Sequence, residues 1–302
     1  MRVASIDCGT NSIRLLIADV AGGRLTDVAR RMEIVRLGEG VDRTGRLSEA
    51  AIARTRTALL GYAAEIAELG VTTVRMCATS ASRDASNAQD FRDMVRGVLG
   101  VDPEVITGDK EARLTFTGAL AGLHAEPPYL AVDIGGGSTE FVTGSTAVEH
   151  AISMDIGCVR MTERHLHSDP PTAAEIDAAT RDITTAVDTA LAAVPGRSAA
   201  TLVGLAGTVT TVAALAMDLP SYDAARIHHA RVSYDEVAKV TADLLGMTVE
   251  QRLALPVMHP GRADVVGGGA LILRIIMERS GQSSVIASEH DILDGIAFSV
   301  VV

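Results

Sequence analysis

Tryptophan is absent from the 302-residue chain, and aromatic residues make up only 3% of it. The core must therefore be aliphatic, built from Ala, Val, Leu and Ile. Cysteine is scarce as well: Cys8, Cys77 and Cys158 are odd in number and far apart, with no Cys-x-x-Cys spacing. That argues against a disulfide framework and a zinc site and leaves buried, reduced thiols in a cytoplasmic protein as the expectation. No uninterrupted apolar run reaches the roughly 20 residues that a membrane span requires. Asp7 and Asn11 interrupt what would have to be the apolar stretch of a signal peptide, so no membrane association is expected. Basic charge is in deficit, with 27 Lys and Arg against 38 Asp and Glu, a net charge of −11. A general nucleic-acid surface would be basic, so nucleic acid is not an expected partner. Any polyanion site has to be a local feature working against the overall field. The phosphate-loop, zinc-protease and nucleophile-elbow motifs are missing too.

What is present points to two α/β domains. A composition of 47% hydrophobic and 22% charged residues is globular, and the length suits two cores. The chain also repeats a phrase. Ser-Ile-Asp-Cys-Gly-Thr-Asn-Ser (5–12) returns as Ala-Val-Asp-Ile-Gly-Gly-Gly-Ser (131–138), an offset of 126 that lays Asp7 on Asp133, Gly9 on Gly135 and Ser12 on Ser138. Each copy lies between short apolar runs, which reads as strand, tight glycine turn, strand. Such a tip offers backbone N–H groups and a hydroxyl to a phosphate, and its Asp can hold a cation.

The rest of the chain alternates helix and strand. A strand and loop are expected over 24–41. Ser48 caps an amphipathic helix carrying Ile52, Leu59, Ile66 and Leu69 and stopped at Gly70. A strand over 71–78, a helix over 87–99, a short strand over 104–107 and a helix from Gly108 through Leu120 follow. The Ala-Glu-Pro-Pro stretch at 125–128 is the best candidate boundary, giving domains over 1–124 and 125–302. Beyond the second hairpin come a strand over 148–154, helices over 158–165 and from Thr172, and a strand over 201–205 that opens directly into a helix. Ser233 with Glu236, and Thr248 with Gln251, form two capping boxes. The triple glycine at 267–269 lies early in an apolar helix, and a last strand over 284–288 leads into a terminal helix.

Three glycine turns of one kind, the two hairpin tips and the turn at 204–208 with Gly207 and Thr208, are the pattern of the actin-like fold. Arg83 and Asn87 lie in a polar strand-to-helix crossing. By spacing alone this is a capped helix with a solvated arginine, although an acidic protein needs an anion clamp and arginine is suited to one. Glu111 stands in a first helical turn, where acids are common for electrostatic reasons. Glu140 falls two residues past the second tip, where the first copy has Arg14, so the domains divide their labour. Asp133 and Glu140 could both face a bound cation.

Taken together, residues 7–12, 78–87 with Phe91, 108–114, 133–140, 157–160, 206–208 and 288–295 resemble the exopolyphosphatase and guanosine pentaphosphate phosphatase (Ppx/GppA) family. The resemblance implies duplicated actin-like (ribonuclease-H-like) domains with mixed sheets, an active cleft between them, and a terminal helix (290–302) returning to the first. It implies Glu111 as catalytic base, Glu140 as a second essential carboxylate, and Asp133 as a holder of Mg²⁺; the residues themselves add Glu140 and Asp7 as candidate ligands. Arg83 and Asn87 would hold substrate, and the phosphate loops would be Thr10, Asn11 and Ser12, then Gly135, Gly136, Gly137 and Ser138, with Gly207 and Thr208 in the third turn. Lys110 departs from the family's usual acid at that place. The implied activity is hydrolysis of the terminal phosphoanhydride of inorganic polyphosphate, with short chains expected because the longer relatives' C-terminal helical domains are missing. The alternative substrate is guanosine pentaphosphate. An actin-like kinase and a non-catalytic polyphosphate sensor are the remaining readings, and a homodimer is what the family suggests.

Overall fold

The computed structural model describes residues 1–22 and 24–300. The chain divides into two compact units. One comprises residues 1–118 together with the segment from Asp291 onward, and the other is Ala119–His290.

The first unit is built on a five-stranded sheet. Its strands are β1 (Arg2–Cys8), β2 (Ser12–Ala21), β3 (Arg24–Ile34), β4 (Thr73–Ala78) and β5 (Glu104–Val105), in the order β3-β2-β1-β4-β5. β1 and β2 pair antiparallel as the hairpin expected from the sequence, whereas β4 runs parallel to β1. Both faces of β1 are buried, as they must be in a central strand covered by helices. On one face Ile6, Ile13 and Leu15 pack with Leu59, Tyr62 and Ile66 of the Glu49–Glu68 helix. That helix begins where expected, the Ser48 hydroxyl accepting from the Ala51 N–H at 3.1 Å. On the other face Val3 and Leu16 pack with Leu293 and Ala297 of the Ile292–Ser299 helix.

The second unit holds six strands: β6 (Tyr129–Ile134), β7 (Thr139–Gly144), β8 (Val148–Met154), β9 (Thr201–Leu205), β10 (Arg231–Ser233) and β11 (Ser284–Ala287). Their order is β10-β11-β9-β6-β7-β8. Without the antiparallel edge strand β10, this repeats the first sheet: a three-strand meander, then two parallel strands. The duplicated α/β architecture with mixed sheets is that of actin-like domains. The core is aliphatic, and Phe141 on β7 is its one large ring with no exposure. Truncating that ring to alanine would cost about 3–5 kcal/mol.

Local signals placed the elements well. The Cys158–His165 helix and β9 have the expected limits, and both capping boxes form with reciprocal hydrogen bonds. Three of the differences are informative. The crossing at 79–87 contains a short helix, Ser80–Asp84. The helix from Gly108 ends at Ala119, so Leu120 lies beyond it. β10 was not anticipated, since three residues before a capping box carry no alternation to read. Among the described residues no helix is long and apolar enough to cross a membrane.

Candidate functional site

The two glycine tips are built alike. In each, the first glycine N–H donates to the serine carbonyl three residues on, Gly9 to Ser12 and Gly135 to Ser138, both at 3.0 Å. Asp7 stands opposite Arg14 on β1–β2, and Asp133 opposite Glu140 on β6–β7. Residues directly opposite in an antiparallel pair share a face. Copy one therefore sets a guanidinium beside its aspartate where copy two sets a second carboxylate.

In the first unit the tip is fixed from behind. Val35 and Arg36 donate their N–H groups to the Asn11 carbonyl at 3.1 and 2.8 Å, and Gly38 donates to the Thr10 carbonyl at 2.9 Å. The Thr10 and Ser80 hydroxyls are hydrogen-bonded at 2.8 Å. These bonds leave the tip a rigid loop whose backbone conformation is set by the fold. Arg14 reaches Asp7 Oδ2 through Nη2 at 2.7 Å and Nε at 3.2 Å, and through Nη1 it pairs with Asp291. Burial pushes the Asp7 carboxyl upward while Arg14 pulls it back, and the net direction is up. Burial acts the same way on Asp291, but there Arg14 and the Leu293 N–H outweigh it and the net direction is down.

Glu111 lies in the first turn of the Gly108–Ala119 helix, only 8% exposed. Arg83, at the end of the Ser80–Asp84 helix, donates Nη1 to Glu111 Oε2 at 3.3 Å and to the Ile106 carbonyl at 3.2 Å. The structure thus joins two of the residues singled out in the sequence. Asn87 is differently employed. It accepts from the Leu47 N–H at 2.8 Å and donates to the Leu47 carbonyl at 3.1 Å. Lys110 turns to Glu104 at 2.7 Å, and Glu104 also receives Arg75. Hydrogen bonds from Arg75, helped by Lys110, hold the Glu104 carboxyl down at about 2.

In the second unit the tip docks on the start of the Cys158–His165 helix. Cys158 N–H donates to the Gly135 carbonyl at 2.9 Å, Val159 and Arg160 donate to the Gly136 carbonyl at 2.9 and 3.1 Å, and Arg160 Nε donates to the Gly137 carbonyl at 2.7 Å. Asp133 and Glu140 are 7% and 1% exposed, and the Ser153 hydroxyl on β8 donates to Glu140 Oε1 at 2.7 Å. Gly207 and Thr208 open the Ala206–Ala216 helix, and Ala206 has a φ of 66°. A non-glycine residue in that left-handed region is strained by roughly 1–2 kcal/mol, and such strain gathers at functional turns. Arg262 Nη1 donates to the Gly207 carbonyl at 3.4 Å. Sequence reasoning did not pick out Ser153 or Arg262. Neither belongs to a motif: Ser153 meets Glu140 through the β7–β8 register, and Arg262 reaches Gly207 across 55 residues of chain.

The donor set suits a hard divalent cation. Among the described residues no group of three or more His, Cys, Asp or Glu could hold a metal. Mg²⁺ needs no such cage, because it binds one or two carboxylates and completes its octahedron with water and substrate phosphate oxygens. Two buried carboxylates on one face of β6–β7 are such a pair, and their mutual repulsion favours a cation beside them. At the equivalent place in copy one, Arg14 meets that need. Asp7 Oδ1 is buried without a hydrogen-bond partner.

Duplicated actin-like halves, each with a hydroxyl-bearing glycine turn beside a buried aspartate, define the fold class of the protein. The chain belongs to the Ppx/GppA phosphatase family, whose model matches residues 16–301. It is 53% identical to exopolyphosphatase 2 of Mycobacterium tuberculosis over 99% of this chain and 98% of that one. Among solved structures it is similar to an exopolyphosphatase-like protein at 42% identity and a TM-score of 0.96, covering 99% of this chain and 97% of that one. The Ppx/GppA family member of Aquifex aeolicus matches at 34% identity with a TM-score of 0.84, covering 100% and 97% of the two chains.

Proposed function

We propose that this chain is an exopolyphosphatase, which hydrolyses the terminal phosphoanhydride of inorganic polyphosphate and releases orthophosphate. The observation that carries the reading is the 53% identity to a mycobacterial exopolyphosphatase across nearly the whole of both chains. The arrangement of Glu111 supports it: a carboxylate in a first helical turn, nearly buried and oriented by Arg83. In this reading Glu111 takes the proton of the attacking water. The P–O bond to the shortened chain then breaks, and the new phosphate leaves. Arg83 both orients Glu111 and offers its remaining N–H groups to phosphoryl oxygens. Backbone amides and hydroxyls of Thr10, Asn11, Ser12, Gly135–Gly137, Ser138, Gly207 and Thr208 neutralise the phosphate chain.

Asp133 and Glu140 would hold the divalent cation, which we take to be Mg²⁺. When bound it supplies charge neutralisation at the phosphoryl group. Asp7 we assign to Arg14, and Asn87 to the support of the loop before Leu47. Three buried thiols fit action in a reducing compartment such as the cytoplasm.

The test is orthophosphate release with Mg²⁺ from short polyphosphate, long polyphosphate and guanosine pentaphosphate, each with wild type, Glu111→Gln and Glu140→Gln. Loss of a general base costs about 10²–10⁴-fold in turnover, and Glu111→Gln is expected in that range; Glu140→Gln is expected to lower turnover by weakening the hold on the cation, both with unchanged folding. Near wild-type turnover by either would overturn its assignment. Preference for the nucleotide would move the substrate to guanosine pentaphosphate.

A further inference from the structure

The segment 288–295 resembles the family, yet the proposed chemistry gives it no part. Within the first unit its residues touch both the phosphate hairpin and the helix that carries Glu111. Asp291 caps the Ile292–Ser299 helix, its Oδ1 accepting from the Leu293 N–H at 3.0 Å, and Asp294 closes a capping box by accepting from the Asp291 N–H at 3.0 Å. The other oxygen of Asp291 takes Arg14, whose remaining N–H groups hold Asp7. One half-buried guanidinium thus ties the start of the terminal helix to the strand leading into the tip.

The same helix end crosses the Gly108–Ala119 helix at backbone contact. A Cβ on Gly118 would lie 1.9 Å from the Asp291 carbonyl oxygen, and one on Gly295 would lie 1.9 Å from the Leu114 carbonyl oxygen. Two glycines, one from each helix, let the backbones touch. Ile292 and Ile296 pack beside the crossing with Cys77, Ile106 and Leu114. Leu114 is one turn beyond Glu111 on the same helix.

We propose that Asp291 and the Gly118–Gly295 crossing are positioning elements for the hydrolysis. They fix the helix of Glu111 relative to the first phosphate hairpin, with Arg14 as the rigid link. This rests on the reading of Glu111 as base. The two ends of the frame are a proton acceptor and a phosphate loop, and neither tolerates displacement. An error of 1 Å in such a placement costs on the order of 10²-fold in rate. An arginine in two ion pairs and two glycines at backbone contact hold that distance better than side-chain packing alone.

Gly295→Ala and Asp291→Asn test it. The alanine forces the two helices apart while favouring helix formation locally. The asparagine keeps the cap, because asparagine caps as well as aspartate, and turns an amide N–H group toward Arg14 in place of the accepting oxygen, so that the ion pair and its hydrogen bond are lost together. Turnover is measured on short polyphosphate with Mg²⁺, well below the melting temperature of each variant, beside Glu111→Gln.

A positioning role predicts kcat lower by about 10–100-fold with KM within about two-fold. A merely structural role would lower the melting temperature and leave kcat per folded molecule unchanged, and that result overturns the proposal. Asp291→Asn decides if Gly295→Ala does not fold. Wild-type turnover by Glu111→Gln would remove the base itself, a failure separable from that of the frame.

Discussion

Replacing Gly157 with alanine probes the second glycine tip, the proposed phosphate loop, without touching a hydroxyl, a carboxylate or a charge. The new Cβ would sit 2.3 Å from both the carbonyl carbon and the carbonyl oxygen of Gly136 and 2.5 Å from the Gly137 nitrogen. Comfortable separations between such atoms are about 3.5 Å, so the two backbones must part by roughly 1 Å. No flexible side chain is there to yield. The tip is held to the Cys158–His165 helix by the bonds from Cys158, Val159 and Arg160, so it moves as a body or loses them. Overpacking of this kind costs about 1–3 kcal/mol, which in a unit of this size lowers the melting temperature by about 2–4 °C per kcal/mol. The larger effect is on rate, since phosphate donors displaced by 1 Å cost on the order of 10²-fold. The assay is colorimetric orthophosphate release at saturating polyphosphate, paired with a thermal melt by circular dichroism. Gly97→Ala is the control, because a Cβ there meets nothing within 4 Å. It should gain about 0.5–1 kcal/mol from helix propensity and keep full turnover. Turnover by Gly157→Ala within two-fold of wild type would refute the claim that the Gly135–Ser138 tip is a rigid donor array.

Two further outcomes follow from buried titratable groups. Burial pushes Cys77 up to about 12 and Cys158 up to about 11, and raises Cys8 as well, so none should react with Ellman's reagent at pH 8 until the protein is unfolded. Rapid modification of one native thiol would contradict that packing. Burial lowers His229 below its usual value, with His290 and His124 adding repulsion. A histidine with a depressed folded value contributes stability above the unfolded value of 6.5 that is lost as pH falls through the folded one. Stability should therefore decline below pH 6.5 in urea titrations, and His229→Gln should flatten that decline; an identical slope in the variant would exclude His229 as its source.

Elements fixed by neighbours in the chain were legible in the sequence. Ser233 and Thr248 announce their helices because each cap and its partner are three residues apart. The tip hairpins were legible because the repeat states them twice. The short helix Ser80–Asp84 was not, since its two serines and aspartate have poor helix propensity and tertiary contacts decide the matter. The employment of Asn87 was hidden too, because its partner Leu47 is 40 residues away and bonds through its backbone. Lys110, the departure from the family's usual acid, stands next to Glu111 in the sequence without facing it. Successive helical residues diverge by about 100°, and the lysine leans instead on Glu104.

The Ile292–Ser299 helix also bears on how the protein is made. The Ser5 hydroxyl donates to the Leu293 carbonyl at 3.0 Å, a bond between residues 288 positions apart. Val3 and Leu16 have their apolar partners Leu293 and Ala297 at a comparable remove. On the ribosome β1 and β2 emerge before the second unit, and the helix that covers this face is synthesised only after the whole of that unit. Residues 119–290 are contiguous and need no such wait. The unit begun first is the one completed last, and its exposed apolar face is what a nascent-chain chaperone would meet.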